Sequence, residues 1–439
     1  MIVMKFGGTS VGDAARIRGV AAIVRSRLAR RPMVVVSAMA GVTDALLAAF
    51  ARTGSGRRAG AELATRHAAV ARRLGVPAAA VADELRELAE ALEAARERRS
   101  ASARDRDGVL SFGERLSARR VAACLRAEGI EAGAVRADEA GLLTDDRFGE
   151  AEPLAVALPC LRRSLARVRG VPVLTGFIGR TRDGSITTLG RGGSDFTAAL
   201  AGAATGAEEI EIWTDVDGVM SADPRVVPEA HTIERLSYAE AAELAYFGAK
   251  VLHPKTMLPA LRKGIPMRVL NTHRPSHPGT RVARSADRAH EVVKAIACKK
   301  GITLVNIVSS RMLLAHGYLA RLFQVFADHR IPVDVVSTSE VSVSLTVDRT
   351  AGLREAVREL RRFAQVEVRH GRALVCAVGE GMIHSAGVAA RLFAALGGEG
   401  INVEMVSQGA SKLNVSLLVR GDDADRAVRA LHARFFGGG

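Results

Sequence analysis

One residue separates Lys5 from the glycine pair Gly7–Gly8, and the hydroxyls of Thr9 and Ser10 follow in the run MKFGGTSVGD. Glycines let a backbone approach phosphate oxygens and aim N–H groups at them. A lysine adds a point charge for the same group. The run is suited to an anion, although alone it reads equally well as a glycine turn beside a solvated lysine. It is neither common phosphate loop. G-x-x-x-x-G-K-[ST] puts the lysine after the glycines, and G-x-G-x-x-G is missing. A second glycine loop, TTLGRGGSDFTAAL (Thr187–Leu200), sets Gly190, Gly192 and Gly193 around Arg191 and runs through Ser194 and Asp195 into a helix. An arginine clamps a carboxylate with two parallel hydrogen bonds, and a helix N-terminus favours an anion. Asp195 also reads as the N-cap of that helix.

Three further segments carry candidate polar groups. IWTDVDGVMSADPRVV (Ile212–Val227) places Thr214 and Asp215 at the carboxyl end of a strand and Arg225 after a proline. Asp215 and Asp217 read as turn residues rather than metal ligands. SFGERLSARR presents Glu114 at a helix start, and YFGAKVLHPKT presents Lys250 near a helix end. His253 reads as a structural hydrogen bonder rather than a base. Taken singly, residues of these types usually lie solvated on a surface.

Such groups act together only if a scaffold delivers them to one place. Ile2–Phe6 is short and apolar, as in a buried strand. Asp13 reads as a helix N-cap, with Ile17, Val20, Val24 and Leu28 at helical spacing behind it. Arg31-Pro32 ends that helix, and MVVVSAM (Met33–Met39) reads as a second buried strand. A unit of this kind pairs its strands in parallel with a right-handed crossover. The Gly7–Gly8 loop then falls at the carboxyl end of the first strand, where open α/β sheets bind ligands.

Residues 51–110, rich in Ala, Arg, Glu and Leu, read as helices over the sheet. VPVLTGFIG (Val171–Gly179), EEIEIWTDVDG (Glu208–Gly218) and PMRVLN (Pro266–Asn271) read as further strands, with helical runs from Asp195 and Ser237. RPSHPGTRV (Arg274–Val282) breaks the alternation, so one domain is expected over residues 1–285.

The rest of the chain repeats itself. GYLARLFQVFADHRIPVDVVSTS (Gly317–Ser339) and GVAARLFAALGGEGINVEMVSQG (Gly387–Gly409) lie 70 residues apart and agree at nine of 23 positions. Each copy reads as a helix and a strand, preceded by one strand and followed by another. Two ferredoxin-like modules are expected, over residues 302–372 and 373–439.

A chain of 439 residues accommodates two or three domains, and 48% hydrophobic residues allow a large core. The four cysteines, Cys124, Cys160, Cys298 and Cys376, are scattered, which argues against a zinc site or a disulfide framework. A reducing cytoplasm is the expected setting. The start lacks the pattern of a signal peptide, and no apolar run approaches the ~18 residues of a membrane span. The net charge of +15 raises a nucleic-acid partner, yet 4% aromatics leave few stacking platforms. Arginine-rich solvated faces account for the charge, and no nucleic-acid partner is expected.

KFGGTSV, VVSAMAGVTD, SFGERLSA, TLGRGGSDFTAA, WTDVDGV…DPR and FGAKVLHP stand in the order and approximate spacing found in aspartokinases, members of the amino-acid kinase superfamily. The doubled repeat resembles the paired ACT regulatory modules of that family, and STSEVSVSLTVD and VEMVSQGASKLNVSLLV are close to its ACT sequences. The resemblance covers essentially the whole chain. It implies an α/β fold: an open, mainly parallel sheet sandwiched by helices, followed by two ferredoxin-like (βαββαβ) ACT modules.

It also implies transfer of the ATP γ-phosphoryl group to the β-carboxylate of L-aspartate. By resemblance, Lys5, Gly7 and Gly8, with Gly192 and Gly193, hold the phosphoryl group. Lys250 helps neutralise the ATP phosphates, and Asp195 organises the site. Arg191 clamps the aspartate α-carboxylate, Glu114 receives its ammonium, and Thr43 and Ser194 add hydroxyls. Thr214, Asp215, Met220, Arg225, Lys250 and Val251 line the nucleotide site. Met220 is a departure, because many relatives carry Phe or Tyr there.

Mg²⁺ is implied with ATP, held mainly by phosphates and water with no dedicated protein metal site. The first module resembles lysine-regulated members, which makes Met312, Tyr318, Leu319, Asp334 and Ser339 candidate effector contacts, with Asp334 facing the effector ammonium. A homodimer or dimer of dimers through the ACT modules is implied, as is the insertion of one module into the other, with Val292–Lys299 supplying a strand to the second. The competing readings are a glutamate or N-acetylglutamate kinase and a catalytically silent amino-acid sensor. TLGRGGSD and the tandem repeat weigh against the first. Intact Lys5, Arg191, Asp195 and Lys250 weigh against the second.

Overall fold

The computed structural model describes residues 1–51, 56–77, 79–97, 102–248, 252–285, 291–313, 315–409 and 413–437. The chain forms two compact units. One comprises Met1–Val219, Glu234–Tyr238 and Val251–Ala286; the other comprises Met220–Ile233, Ala239–Lys250 and Asp287–Gly439.

In the first unit the apolar runs IVMKF and PMVVV become the central strands β1 (Ile2–Phe6) and β2 (Pro32–Val36). Continuous apolar runs suit strands buried on both faces of a parallel sheet. The other strands of this unit are β3 (Ala132–Val135), β4 (Val171–Thr175), β5 (Ile178–Arg180), β6 (Ile186–Thr188), β7 (Glu209–Thr214), β8 (Arg235–Ser237), β9 (Met267–Asn271) and β10 (Thr280–Ala283). Eight of them form one sheet in the order β3-β4-β2-β1-β7-β9-β10-β8, and β5 and β6 form a separate antiparallel pair. β1 pairs in parallel with β2 and β7, setting Lys5 beside Val35 and Ile212. Among the described residues, the one antiparallel pair in the large sheet is β9–β10. Trp213, fully buried on β7, stacks on Phe6 at 6.0 Å and fixes the centre of the sheet.

Several local expectations need correction. Asp13 does cap the first helix, Ala14–Ser26, accepting a hydrogen bond from the Arg16 N–H. That helix ends a turn earlier than the spacing suggests. Leu28 sits on a 3₁₀ turn, 40% exposed, and Arg31 takes a left-handed φ of 49° before β2 begins at Pro32. Ser37–Met39 lie beyond β2 and form a loop. VPVLTGFIG is two strands, broken after Thr175. The break falls at Phe177, whose φ of 66° leaves the strand region, and the preceding Gly176 makes room for Ser194, since a Cβ there would lie 2.5 Å from the Ser194 hydroxyl. RPSHPGTRV ends in a strand, β10, that turns back on β9.

In the second unit the sequence repeat becomes one six-stranded antiparallel sheet. Its strands are β11 (Ala295–Val308), β12 (Val336–Thr338), β13 (Ser342–Val347), β14 (Gln365–Val378), β15 (Met405–Ser407) and β16 (Asn414–Arg420), in the order β12-β13-β11-β14-β16-β15. β11 and β14 run through both modules. Thr303–Val308 of β11 pairs with β13 in the first module, whereas Ala295–Lys300 pairs with Ala373–Val378 beside β16 in the second. The second βαββαβ module therefore closes with a strand that precedes the first in sequence. The ladder starts at Ala295, three residues later than the expected Val292.

Helices Tyr318–Asp328 and Leu353–Leu360 cover one half, and Val388–Gly398 and Ala424–Phe436 cover the other. Residues 239–246 of the helix Tyr238–Tyr246 belong to this unit. Glu240, fully buried, pairs with Lys294 at 3.0 Å and accepts the Glu380 N–H. No described helix is long and apolar enough to cross a membrane.

Candidate active site

The β1 and β2 carboxyl ends nest against each other. Gly7 donates its N–H to the Trp213 carbonyl, and the Gly8 carbonyl accepts from Ala40. A Cβ on Gly8 would stand 2.8 Å from the Ala38 carbonyl oxygen, so this close approach requires glycine. Lys5, next to last on β1, reaches Asp195 with its ammonium 2.6 Å from Oδ1, both side chains being mostly buried. Asp195 does not cap its helix. The N-cap of Gly193–Thr205 is Gly192, at φ 71°, which places Asp195 in the first helical turn facing Lys5.

Glu114 is the third residue of the helix Phe112–Ala127 and is 3% exposed. Its Oε1 accepts the Ala38 N–H at 3.0 Å, while Oε2 has no protein partner. Burial pushes its carboxyl up to about 8, against the opposing pull of the Ala38 N–H and the Lys5 charge.

These elements enclose a cavity of about 330 Å³. Lys5, Gly8, Thr43, Glu114, Gly192, Gly193, Ser194 and Asp195 line it, so eight of the candidate residues share one space. Gly7 lies just behind, its Cβ position 3.7 Å from the Lys5 ammonium. Arg191 is exposed beside the lining residues Gly190 and Gly192 and makes no hydrogen bond or ion pair among the described residues. Sequence reasoning missed the Ser37–Gly41 backbone and Phe177, which also line the cavity. The apolar run through Met39 had concealed the former as strand. Phe177 is one of few non-glycine residues at positive φ, 66°, a conformation its sequence does not announce.

The expected nucleotide residues are more scattered. Thr214 ends β7 and donates its hydroxyl to Asp215, which is exposed. Met220 and Arg225 belong to the C-terminal unit, where Arg225 pairs with Asp223 at 2.6 Å. Lys250 and Val251 lie outside the described residues. Asp217 is a turn residue, accepting from Asn271 and pairing with Arg274. Among the described residues no group of three His, Cys, Asp or Glu side chains is placed to hold a metal. His253 begins the helix Pro254–Lys263, its carbonyl accepting from Thr256.

In the first ACT-like module, Met312 and Tyr318 pack against the same apolar core. Leu319 is partly exposed, and Ser339 bonds Ser342. The Asp334 side chain is 4% exposed and engaged from two sides. It accepts from the Tyr246 hydroxyl, and the Lys299 ammonium stands 3.4 Å away and is shared with Asp348. Its Oδ2 is buried without a partner.

The cavity offers a lysine held by a carboxylate, backbone amides of two glycine loops and a buried acid. That set binds and orients anions and supplies positive charge, with no histidine among the described residues that line the cavity. Residues 1–271 match the amino acid kinase family, and residues 305–362 and 375–435 match the ACT domain. Aspartokinase 2, chloroplastic, of Arabidopsis thaliana is 40% identical over 99% of this chain and 84% of its own length. The lysine-sensitive aspartokinase 3 of Escherichia coli (strain K12) is 38% identical over 99% of both. The crystal structure of E. coli aspartokinase III in complex with aspartate and ADP superposes with a TM-score of 0.84 at 37% identity, covering 99% of this chain and all of that one. With full-length likeness at this identity, and with family matches to an amino acid kinase domain followed by two ACT segments, the chain belongs to the aspartokinases of the amino acid kinase family.

Proposed function

We propose that this aspartokinase transfers the γ-phosphoryl group of ATP to the β-carboxylate of L-aspartate, giving 4-phospho-L-aspartate, the first step of aspartate-family amino-acid synthesis. The observation that carries this reading is the single cavity joining the Lys5–Asp195 pair, the two glycine loops and Glu114. The acceptor is a carboxylate, ionised at neutral pH because its ordinary pKa is about 3.9. It needs no general base. One of its oxygens forms a bond to the γ-phosphorus as the bond from that phosphorus to the ADP oxygen breaks, and ADP leaves with the electron pair.

The difficulty is bringing two anions together and stabilising charge on the moving phosphoryl group. Lys5 and the amides of Gly8 and Gly192 serve that purpose, Gly7 and Gly193 shape the two loops through their bonds to the Trp213 and Gly190 carbonyls, and Asp195 orients Lys5. Arg191 clamps the α-carboxylate, Glu114 takes the ammonium, and Thr43 and Ser194 donate hydroxyls. Thr214, Asp215, Met220, Arg225, Lys250 and Val251 hold the nucleotide. Mg²⁺ would accompany ATP and neutralise its phosphates, held mainly by phosphate oxygens and water. The test is ADP release with ATP and one acceptor at a time. Release should require L-aspartate; an equal rate with glutamate or N-acetylglutamate contradicts the assignment.

Glu114 gives this reading a pH signature. An acid held up to about 8 is mostly neutral at pH 6–7, whereas an ammonium ligand pairs with the ionised form. Binding aspartate then releases a proton, so the aspartate KM should fall as pH rises from 6 to 8, by at most about tenfold per unit. Glu114→Gln should raise the KM and flatten this slope. An unchanged slope in the variant would exclude Glu114 as its source.

The regulatory part of the proposal is feedback inhibition by lysine through residues 302–372, with Asp334 receiving the effector ammonium and the ACT modules pairing subunits. The unpartnered Oδ2 leaves Asp334 one free acceptor although Lys299 and Tyr246 engage the other oxygen. Activity titrated separately with lysine, threonine and methionine should respond most to lysine. Asp334→Asn should raise the half-inhibitory lysine concentration by about tenfold or more, as expected for an ammonium that loses its buried counter-charge. A stronger response to threonine, or an unaltered lysine response in the variant, would overturn this assignment.

A further inference from the structure

Asp107 belongs to no motif singled out in the sequence, yet it is completely buried. It lies on the helix Ala103–Leu110, which Ser102 and Asp105 fix with a reciprocal capping pair. The helix carrying Glu114, Phe112–Ala127, begins two residues after this one ends. One oxygen of Asp107, Oδ2, accepts two backbone N–H groups from distant parts of the chain, Gly149 at 2.7 Å and Thr188 at 2.8 Å. Thr188 ends β6, three residues before Arg191. The Thr188 carbonyl accepts from Ala151, and the next amide, Leu189, donates to Phe177. Gly149 supports the same turn from below. A Cβ on Gly190 would stand 3.2 Å from the Gly149 carbonyl.

We propose that Asp107 is a positioning residue for the acceptor site: it ties the segment that carries Glu114 to the turn that carries Arg191. The span between those two groups must match one small zwitterion, and Asp107 is the side chain that bonds across it. A buried carboxylate accepting two amides is a stiff junction, because a buried N–H without its partner is costly. The nearest cation, Arg106, stands 3.6 Å from the other oxygen and gives the carboxylate a counter-charge. This inference rests on the assignment of Arg191 and Glu114 to aspartate.

The experiment is a cycle of Asp107→Asn, Asp107→Ala, Arg191→Ala and the doubles, with KM for aspartate, KM for ATP and kcat measured for each. Asp107→Ala should raise the aspartate KM by about tenfold, with the ATP KM within about twofold. Asp107→Asn keeps one carbonyl acceptor and should recover most of that loss; it also serves if the alanine variant fails to fold. In the Arg191→Ala background either change should move the aspartate KM less than about twofold, because its effect runs through Arg191. A purely structural role would lower the melting temperature without this pattern. Full, additive effects in the Arg191→Ala background, or wild-type aspartate KM in Asp107→Asn and Asp107→Ala alike, would overturn the inference. If Arg191→Ala itself left the aspartate KM unchanged, the failure would lie with the clamp assignment instead.

Discussion

Alanine in place of Lys5 is expected to lower kcat by about 10²–10³-fold while both Michaelis constants stay within about threefold. That is the usual loss when one preorganised charge donor is removed from a developing anion. Lys5 lies on a central strand paired on both sides, so the backbone around it does not depend on its side chain. Its ammonium is held by Asp195 at 2.6 Å rather than by solvent, and so needs little reorganisation as charge builds on the phosphoryl oxygens. Part of the loss will come from Asp195, left as an uncompensated, mostly buried negative charge facing two incoming anions. The Lys5→Ala/Asp195→Ala double variant separates the contributions, since it should recover some activity over Lys5→Ala alone. A kcat within threefold of wild type for Lys5→Ala would remove Lys5 from the chemistry.

Arg191→Ala should fail in a different parameter. Its guanidinium is exposed and makes no hydrogen bond or ion pair among the described residues, so it is free to take a carboxylate. Losing one partner of a buried, hydrogen-bonded charge pair typically costs about 2–5 kcal/mol, a factor of about 30 to 5,000; for a guanidinium that is exposed before the acceptor arrives the low end applies, an aspartate KM raised by about 100-fold. The bound acceptor still meets Lys5 and the glycine amides, so kcat should fall far less, and the ATP KM should stay close to wild type. Arg191→Lys should restore little, because a point charge does not reproduce the planar fork. An Arg191→Ala enzyme with wild-type aspartate KM would contradict the clamp.

The contrast between these variants shows what the sequence made legible. The Lys5 and Gly7–Gly8 loop was readable because an apolar run, a glycine pair and a helix cap occur in immediate succession, and parallel pairing then fixes where the loop falls. The doubled regulatory half was readable from its repeat, because two helix–strand units recur 70 residues apart, whereas the strand that Ala295–Lys300 lends to the second module was expected only from the resemblance, since nothing in the repeat itself points to a segment before the first copy.

What escaped was set by distant packing. A strand-like run breaks at Phe177, whose left-handed φ its residue type does not announce, and Gly176 beside it accommodates Ser194 from a helix farther along the chain. Asp195 left the cap position for the first turn because Gly192 had taken the left-handed conformation there. Asp107 gave no local signal, since its two partners are 42 and 81 residues away. Residues 239–246, read from sequence as part of the catalytic domain, pack on the regulatory sheet through Glu240 and Lys294, a pairing that only the tertiary fold reveals.

The central claim is that a carboxylate of aspartate receives the phosphoryl group, and that it is the β-carboxylate. Trapping the product with hydroxylamine and identifying the hydroxamate by mass spectrometry tests this most directly. With ATP and L-aspartate the enzyme should yield β-aspartyl hydroxamate and stoichiometric ADP, and the Lys5→Ala protein should yield little. Formation of the α-hydroxamate, or of a hydroxamate from glutamate or N-acetylglutamate at a comparable rate, would contradict the account.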